Sequence, residues 1–423
     1  MLLYIDPGTG SMLFTILIGV VSTLFFFLKK VKIKIKFILS GGKTDKQQAE
    51  RIPYLIFSDS KRYWNVFQPI CDEFEKRKIK LEYWTVSEDD PALEKHYSFV
   101  ECRCIGNLNQ AFAKLNMLNA GIVLSTTPGL DVYQWKRSKN TEWYVHILHA
   151  AGEAIGYRMF GLDHYDAVLL SGEYQINQIR KLEEMRGLPP KDLRVVGLTY
   201  LDAMQKRLEM EKNCMTAGGD SSEKHIFTVL LAPSWGASSI LCRYGDRILS
   251  GLVKTGYRII VRPHPQSMIS DIKTVDSLRK KYPDNEKFSW NFDNDNFNVL
   301  KESDIMISDF SGVIFDYSLI FDRPVIYTDT DFDKSPYDAA WFEGDKPYWT
   351  FKTLPSIGIP LKESDFSRLK EVIDRAVSDS GLAEGRRRAR EETWMYPGES
   401  TKRTVDYLEE KQRELQSDEK SAE

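Results

Sequence analysis

A chain of 423 residues exceeds the usual single-domain size and is long enough to bury two cores. With 42% hydrophobic and 28% charged residues it reads as globular, and a net charge of -3 argues against a general nucleic-acid footprint. Its cysteines (Cys71, Cys102, Cys104, Cys214 and Cys242) form no CxxC pair, and no histidine stands at zinc-finger spacing. Neither a disulfide framework nor a metal site is indicated, and a reducing compartment is expected.

From Met12 to Leu28 no charge interrupts the chain, the lower limit of length for a spanning helix, and Lys29-Lys30-Val-Lys-Ile-Lys-Ile-Lys36 follows. Acid before and lysine after is the reverse of a cleaved signal peptide. The expectation is an N-terminal transmembrane helix with a basic juxtamembrane segment over 1–39, a single pass through the cell membrane, and the rest cytoplasmic. The lysines would meet anionic headgroups of the inner leaflet. A core helix or a hairpin within one leaflet would also keep the bulk of the chain at that surface.

After a polar stretch, strands are expected at Ile52–Phe57, Lys80–Val86, Phe99–Ile105, Gly121–Ser125, Trp143–Leu148, Ala167–Leu170 and Arg194–Gly197. Helices are expected at Arg62–Lys76, Leu108–Leu118, Gln175–Arg186 and Leu201–Met210. The aperiodic Gly/Ser/Asp-rich run 213–224 is the best linker in the chain. A second alternating unit follows, with strands at Ile226–Ala232, Arg258–Val261, Ile305–Ile307 and Val325–Tyr327. Helices are expected between them, near Ser239–Lys254, Ile272–Tyr282 and Gly312–Phe321. Alternation of this kind implies an α/β fold with two parallel, Rossmann-like sheets (40–212 and 225–360) facing a cleft. Helices over 361–416 would pack back on these domains, leaving 417–423 disordered.

The stretch Asp304-Ile-Met-Ile-Ser-Asp-Phe-Ser-Gly312 ends a buried strand and opens a helix, so Ser308 to Gly312 reads as a phosphate cradle, with Ser311 as N-cap. An ordinary strand-turn-helix junction is the competing reading. His264 lies between Pro263 and Pro265 at the end of one strand, and His149 follows Tyr144-Val-His-Ile-Leu148 at the end of another. One histidine belongs to each half, and such a pair would supply a general base and a cationic stabiliser. The plainer alternative is that each caps its strand end through a backbone hydrogen bond. Ser234 would donate to a ligand oxygen and Trp235 offer a stacking face or fill the core. Asp309 would bind a ribose hydroxyl or orient a donor, and Asp316 would pair with a Lys or Arg.

Ala232-Pro-Ser-Trp235, Arg262-Pro-His-Pro265, Ser308-Asp-Phe-Ser-Gly-Val-Ile-Phe-Asp-Tyr317 and Arg323-Pro-Val-Ile-Tyr327, in this order, resemble the CDP-glycerol glycerophosphotransferase family. Gly398 to Arg403 is similar to the family's closing helix motif, and His149, Ser171 to Tyr174 and Val196-Gly197 fall at weaker signatures. The resemblance implies a GT-B architecture with an N-terminal acceptor domain and a C-terminal nucleotide-donor domain. It implies transfer of glycerol phosphate, or a related polyol phosphate, from CDP-glycerol to a hydroxyl of a lipid-linked or cell-envelope glycan, with release of CMP. By the same resemblance His149 is the base, while His264, Ser311 and the helix start neutralise the pyrophosphate, Arg262 adds charge, and no cofactor or metal is required. Asp329-Thr-Asp331 is accordingly read as a loop. Leu148, Ala150-Ala151 and Gly312 depart from the family's pattern around the histidine and in the cradle. A GT-B glycosyltransferase using a nucleotide sugar and a non-catalytic membrane-bound member are the alternatives.

Overall fold

Short apolar runs become the central strands of two wholly parallel sheets, while the strands Leu81–Thr85 and Val100–Cys104 toward one edge alternate buried and more exposed residues. The computed structural model describes residues 51–217, 225–328, 334–342 and 348–422, and the chain from Ile52 onward forms one unit. The first sheet contains β1 (Ile52–Ser58), β2 (Leu81–Thr85), β3 (Val100–Cys104), β4 (Asn119–Ser125), β5 (Asn140–Ile147), β6 (Ala167–Leu170) and β7 (Asp192–Val195), in the order β3-β2-β1-β4-β5-β6-β7. The second contains β8 (Thr228–Leu231), β9 (Arg258–Val261), β10 (Phe288–Trp290), β11 (Ile305–Ser308), β12 (Val325–Thr328) and β13 (Gly358–Leu361), in the order β10-β9-β8-β11-β12-β13. All pairings are parallel.

Strands covered by helices on both faces must be apolar along their length, and every residue of β6 and β11 is fully buried. In each sheet the strand order reverses once, between β1 and β4 and between β8 and β11. Crossovers there leave for opposite faces and open a crevice at the carboxyl ends of the strands. This is a GT-B-like α/β architecture.

The N-terminal transmembrane helix is not part of this fold. Among the described residues no helix is long and apolar enough to cross a membrane, and the segment 12–28, on which that expectation rested, lies outside them. The fold class is corrected accordingly to the two doubly wound sheets and their helices.

Other boundaries differ for local reasons. The helix Thr199–Ala217 runs into the linker expected from 213. The helix Ser400–Ala422 continues through most of the tail expected to be disordered. Its exposed face carries i,i+4 and i,i+3 ion pairs, Lys402 with Asp406 and Lys411 with Glu414. The edge strand β10 is only three residues long, and β13 reads Gly-Ile-Pro-Leu, in which Pro360 masks a strand that an edge position tolerates.

From the second sheet the chain returns to the first. Asp202 accepts hydrogen bonds from Trp394 Nε1 (2.8 Å), Gly398 N (2.8 Å) and Ser400 N (3.0 Å), fixing the crossing. The helix Ser400–Ala422 then lies on the helix Trp64–Arg77, where Arg77 bonds Asp406 at 2.7 Å and pairs with Glu409. Before the crossing, helix Leu382–Thr393 packs on helix Trp349–Ile357 so closely that a Cβ on Gly385 would stand 1.8 Å from the Ser356 carbonyl oxygen. Backbone on both sides cannot step aside cheaply. Gly385→Ala is expected to destabilise the protein by about 2–3 kcal/mol, read by chemical denaturation; a loss below about 0.5 kcal/mol would mean the two helices slide freely.

Candidate functional site

Loops leaving the carboxyl ends of both sheets meet in a cavity of about 390 Å³. His149, Ser234, Trp235, His264, Ser311 and Gly312 all line it. His149 comes from the loop after β5; Ser234 and Ser311 come from the loops after β8 and β11, the reversal point of the second sheet, and His264 from the bend after β9. The two halves touch here: a Cβ on Gly312 would sit 3.7 Å from Ala150 Cβ, in ordinary contact. Two positions that depart from the family's pattern thus stand face to face. A larger groove of about 1020 Å³ runs between helices Trp64–Arg77 and Thr199–Ala217. It has no histidine in its wall, and its Lys76 and Arg207 are paired with Glu73 and Asp295. Both strand-end histidines and the helix start at Gly312 belong to the smaller cavity.

His149 Nδ1 lies 2.7 Å from the hydroxyl of Thr126 and 3.4 Å from that of Tyr157, and its ring packs on Tyr63 at a centroid distance of 4.8 Å. Thr126, fully buried, directly follows β4, whose Ser125 is in register with His146 of β5, so sheet pairing brings Thr126 and His149 together. Burial pushes the His149 pKa down to about 4, with the charge of Arg62 adding to the effect. His264 accepts the Gln266 backbone N–H on Nδ1 at 3.1 Å, and its ring lies 6.5 Å from that of Trp235. Burial, then Arg62 and Arg262, lower its pKa to about 4, against an opposing contribution from Asp271. Both histidines are therefore neutral near pH 7.

The helix Val313–Phe321 begins at Gly312 with no side-chain cap. Ser311, expected to be that cap, contributes instead to the cavity wall. The Ile314 and Phe315 amides bond the Ser311 and Gly312 carbonyls at 3.2 and 3.0 Å, and the helix turns its positive end toward the cavity that Ser311 and Gly312 line. Ser234 is buried beside Asp309, whose pKa burial raises against the backbone bonds from Ser234 and Ile240, and its hydroxyl makes no hydrogen bond of good geometry.

Four of the sequence candidates stand back from the cavity wall. Ser308 donates to the Ala232 carbonyl at 2.6 Å, tying β11 to the end of β8. Asp309 accepts from the Ser234 and Ile240 amides at 2.9 and 3.1 Å, which fixes the Ser234 loop and the start of helix Ile240–Lys254. Arg262 is turned away, bonded to Asn291 and, at 2.7 Å, to the Asp293 carbonyl. Among the described residues Asp316 has no Lys or Arg partner; it accepts the Tyr200 hydroxyl from the opposite half, and burial raises its pKa to about 7. Asp329 and Asp331 lie outside the described residues.

Sequence reading missed Thr126, Tyr157, Tyr63 and Arg62 around His149. It also missed Glu153, which accepts from Thr350 N (2.6 Å) and Oγ1 (2.5 Å) and so joins the His149 loop to helix Trp349–Ile357. For Thr126 a signal existed: Ser125-Thr-Thr-Pro-Gly129 closes an expected parallel strand, where α/β sites gather.

Residues 163–340 match the family described as CDP-glycerol:poly(glycerophosphate) glycerophosphotransferase. That span holds Ser234, His264 and the Ser308–Asp316 stretch and begins after His149. No curated protein matches the chain. Among solved structures, the wall teichoic acid polymerase TagF is similar at 14% identity with a TM-score of 0.56, over 92% of this chain and 98% of that one. A histidine-to-asparagine variant of TagF soaked with CDPG matches at 16% identity, TM-score 0.56 and the same coverage. The UDP-GlcNAc 2-epimerase of Neisseria meningitidis, bound to UDP-GlcNAc, matches at 12% identity with a TM-score of 0.52, over 85% of this chain and 100% of that one. At these identities the structural likeness is one of fold. The match over residues 163–340 supports a CDP-glycerol glycerophosphotransferase-like enzyme.

Proposed function

We propose that the chain transfers glycerol phosphate from CDP-glycerol to a hydroxyl of a cell-envelope glycan acceptor, releasing CMP. One observation carries the reading: His149 and His264, from opposite halves, share one cavity with the uncapped start of helix Val313–Phe321. The acceptor oxygen forms a bond to the phosphorus that bears glycerol, the bond from that phosphorus to the oxygen of CMP breaks, and the acceptor proton passes to His149. Charge on the transferred phosphoryl and on the departing phosphate is met by the helix start, Ser234, Ser311 and His264. Ser308 and Asp309 act beneath these groups by fixing the β8 and β11 loops, and Arg262 orders the loop at Asn291 to Asp293. The reaction as proposed uses no cofactor.

The assay is CMP release from CDP-glycerol by the purified protein with an envelope glycan extract, run beside UDP- and GDP-sugars. CMP formation that depends on the extract is expected. Release of UDP or GDP with no CMP would replace this reading with a sugar transferase.

A further inference from the structure

The two histidines differ in what already occupies Nδ1. At His264 the chain is fixed by Pro263 and Pro265, and Pro265 has no N–H. The next amide, that of Gln266, turns back onto His264 Nδ1 at 3.1 Å. The bend is held by Ser267 N donating to the His264 carbonyl at 2.8 Å and Met268 N to that of Pro265 at 3.2 Å. A backbone amide only donates, so His264 Nδ1 is an acceptor and carries no proton. A neutral imidazole has one N–H, which must then be on Nε2. At His149 the neighbours of Nδ1 are the hydroxyls of Thr126 and Tyr157. A hydroxyl donates or accepts, so Nδ1–H is allowed there, and with it a free lone pair on Nε2.

We propose, resting on the transferase reading above, that His264 serves as a neutral Nε2–H donor to a phosphate oxygen of the nucleotide donor, its tautomer set by the Gln266 amide, while His149 alone takes the acceptor proton. This replaces the cationic stabiliser that the sequence suggests. Adding a proton to His264 Nδ1 would set two N–H groups against each other at 3.1 Å. The charged groups acting on the ring oppose it too: Arg62 and Arg262 disfavour a second proton, and Asp271 favours one less strongly. The proton balance is simple. The acceptor hydroxyl proton ends on His149 Nε2, whose Nδ1–H donates to Thr126 Oγ1; no proton passes through His264, and CMP leaves as the oxyanion.

The test has two arms. In full-length protein carrying ¹⁵N-histidine, with the His264 signal assigned through His264→Ala, the ring nitrogens are expected to report the Nε2–H tautomer throughout pH 5–8. Nδ1–H, or a doubly protonated ring at pH 7, would overturn the proposal. In the second arm His264→Gln, whose amide nitrogen can occupy the place of Nε2, is expected to keep about ten-fold or more of the kcat/KM that His264→Ala loses, whereas His149→Gln is as inactive as His149→Ala. A folded His264→Gln no better than His264→Ala would equally overturn it. The first arm needs no substrate. If the wild-type protein releases no CMP, the transferase reading fails while the tautomer is still decided.

Discussion

Replacing His149 with alanine is expected to lower CMP release by about 10²- to 10⁴-fold, the range a single positioned base supplies. Donor affinity changes far less, because the lost interaction is made only as the acceptor proton moves. His149 meets two requirements of a base: Nδ1 is engaged by Thr126 at 2.7 Å, and burial with Arg62 nearby keeps the ring unprotonated, its pKa at about 4. The sign of the pH dependence follows. A base works in its unprotonated form, so kcat/KM holds from neutral pH downward and falls only as pH drops through about 4, rather than near the ordinary 6.5. Stability moves in the same direction. Both cleft histidines have folded pKa values below 6.5, so the folded state binds fewer protons than the unfolded one. Their contribution is whole above pH 6.5 and is eroded as pH falls from 6.5 toward 4, each tenfold weakening of proton affinity on folding corresponding to about 1.4 kcal/mol. Steady-state rates at pH 4–8, with circular dichroism confirming the fold at each point, separate the two effects. A His149→Ala rate within ten-fold of wild type, or a rate halved already at pH 6.5 in a folded protein, would remove His149 from the role of base.

The parallel strands were legible in the sequence because burial on both faces demands continuous apolar runs. Ile305-Met-Ile307 and Ala167-Val-Leu-Leu170 have no other soluble reading of similar economy. The cleft histidines were legible because each ends such a run. What stayed hidden depends on contacts between distant segments. Asp309 and Asp316 carry the same side chain within one motif, yet the first is spent on backbone amides of its own half and the second on Tyr200 of the other. No local pattern distinguishes them. Arg262 has the charge expected of a phosphate ligand, but Asn291 and the Asp293 carbonyl, set beside it by the β9–β10 pairing, take its guanidinium. Ser311 has the side chain of a cap, but a helix start is fixed by sequence only to within a residue or so, and the chain places Gly312 at that position.

Arg186→Met is expected to destabilise the protein by about 3–5 kcal/mol, the cost of breaking a buried ion pair from one side. Its guanidinium is almost fully buried and bonds Asp163 and Asp338, each at 2.5 Å, while Phe160 and Trp341 cover it with ring centroids 4.7 and 4.9 Å away. Removing the charge strands two carboxylates without solvent. Asp338 is fully buried, and burial already raises its pKa against the pull of Arg186. The consequence reaches the cavity, because Asp338 stands between Tyr337 and Ala339, both in its wall. With Arg186 gone, the segment keeps to the first half through backbone bonds, Met159 N to Pro336 O (3.0 Å) and Asp338 N to Tyr157 O (2.9 Å), and through Phe160 N to the Asp338 carboxylate (2.7 Å). Chemical denaturation should show the stability loss, and steady-state kinetics a raised KM for the acceptor as the loosened Tyr337 and Ala339 shift in the cavity wall. Lysine is not expected to rescue, since it lacks the planar fork that serves two carboxylates and lies flat between two rings. Adding Asp338→Asn to Arg186→Met should recover part of the loss, because one stranded charge is removed. If the single variant stays within about 1 kcal/mol of wild type, or the second substitution makes it worse, the pair is not what fastens this segment, and the contacts of Trp341 and Phe160 must do so.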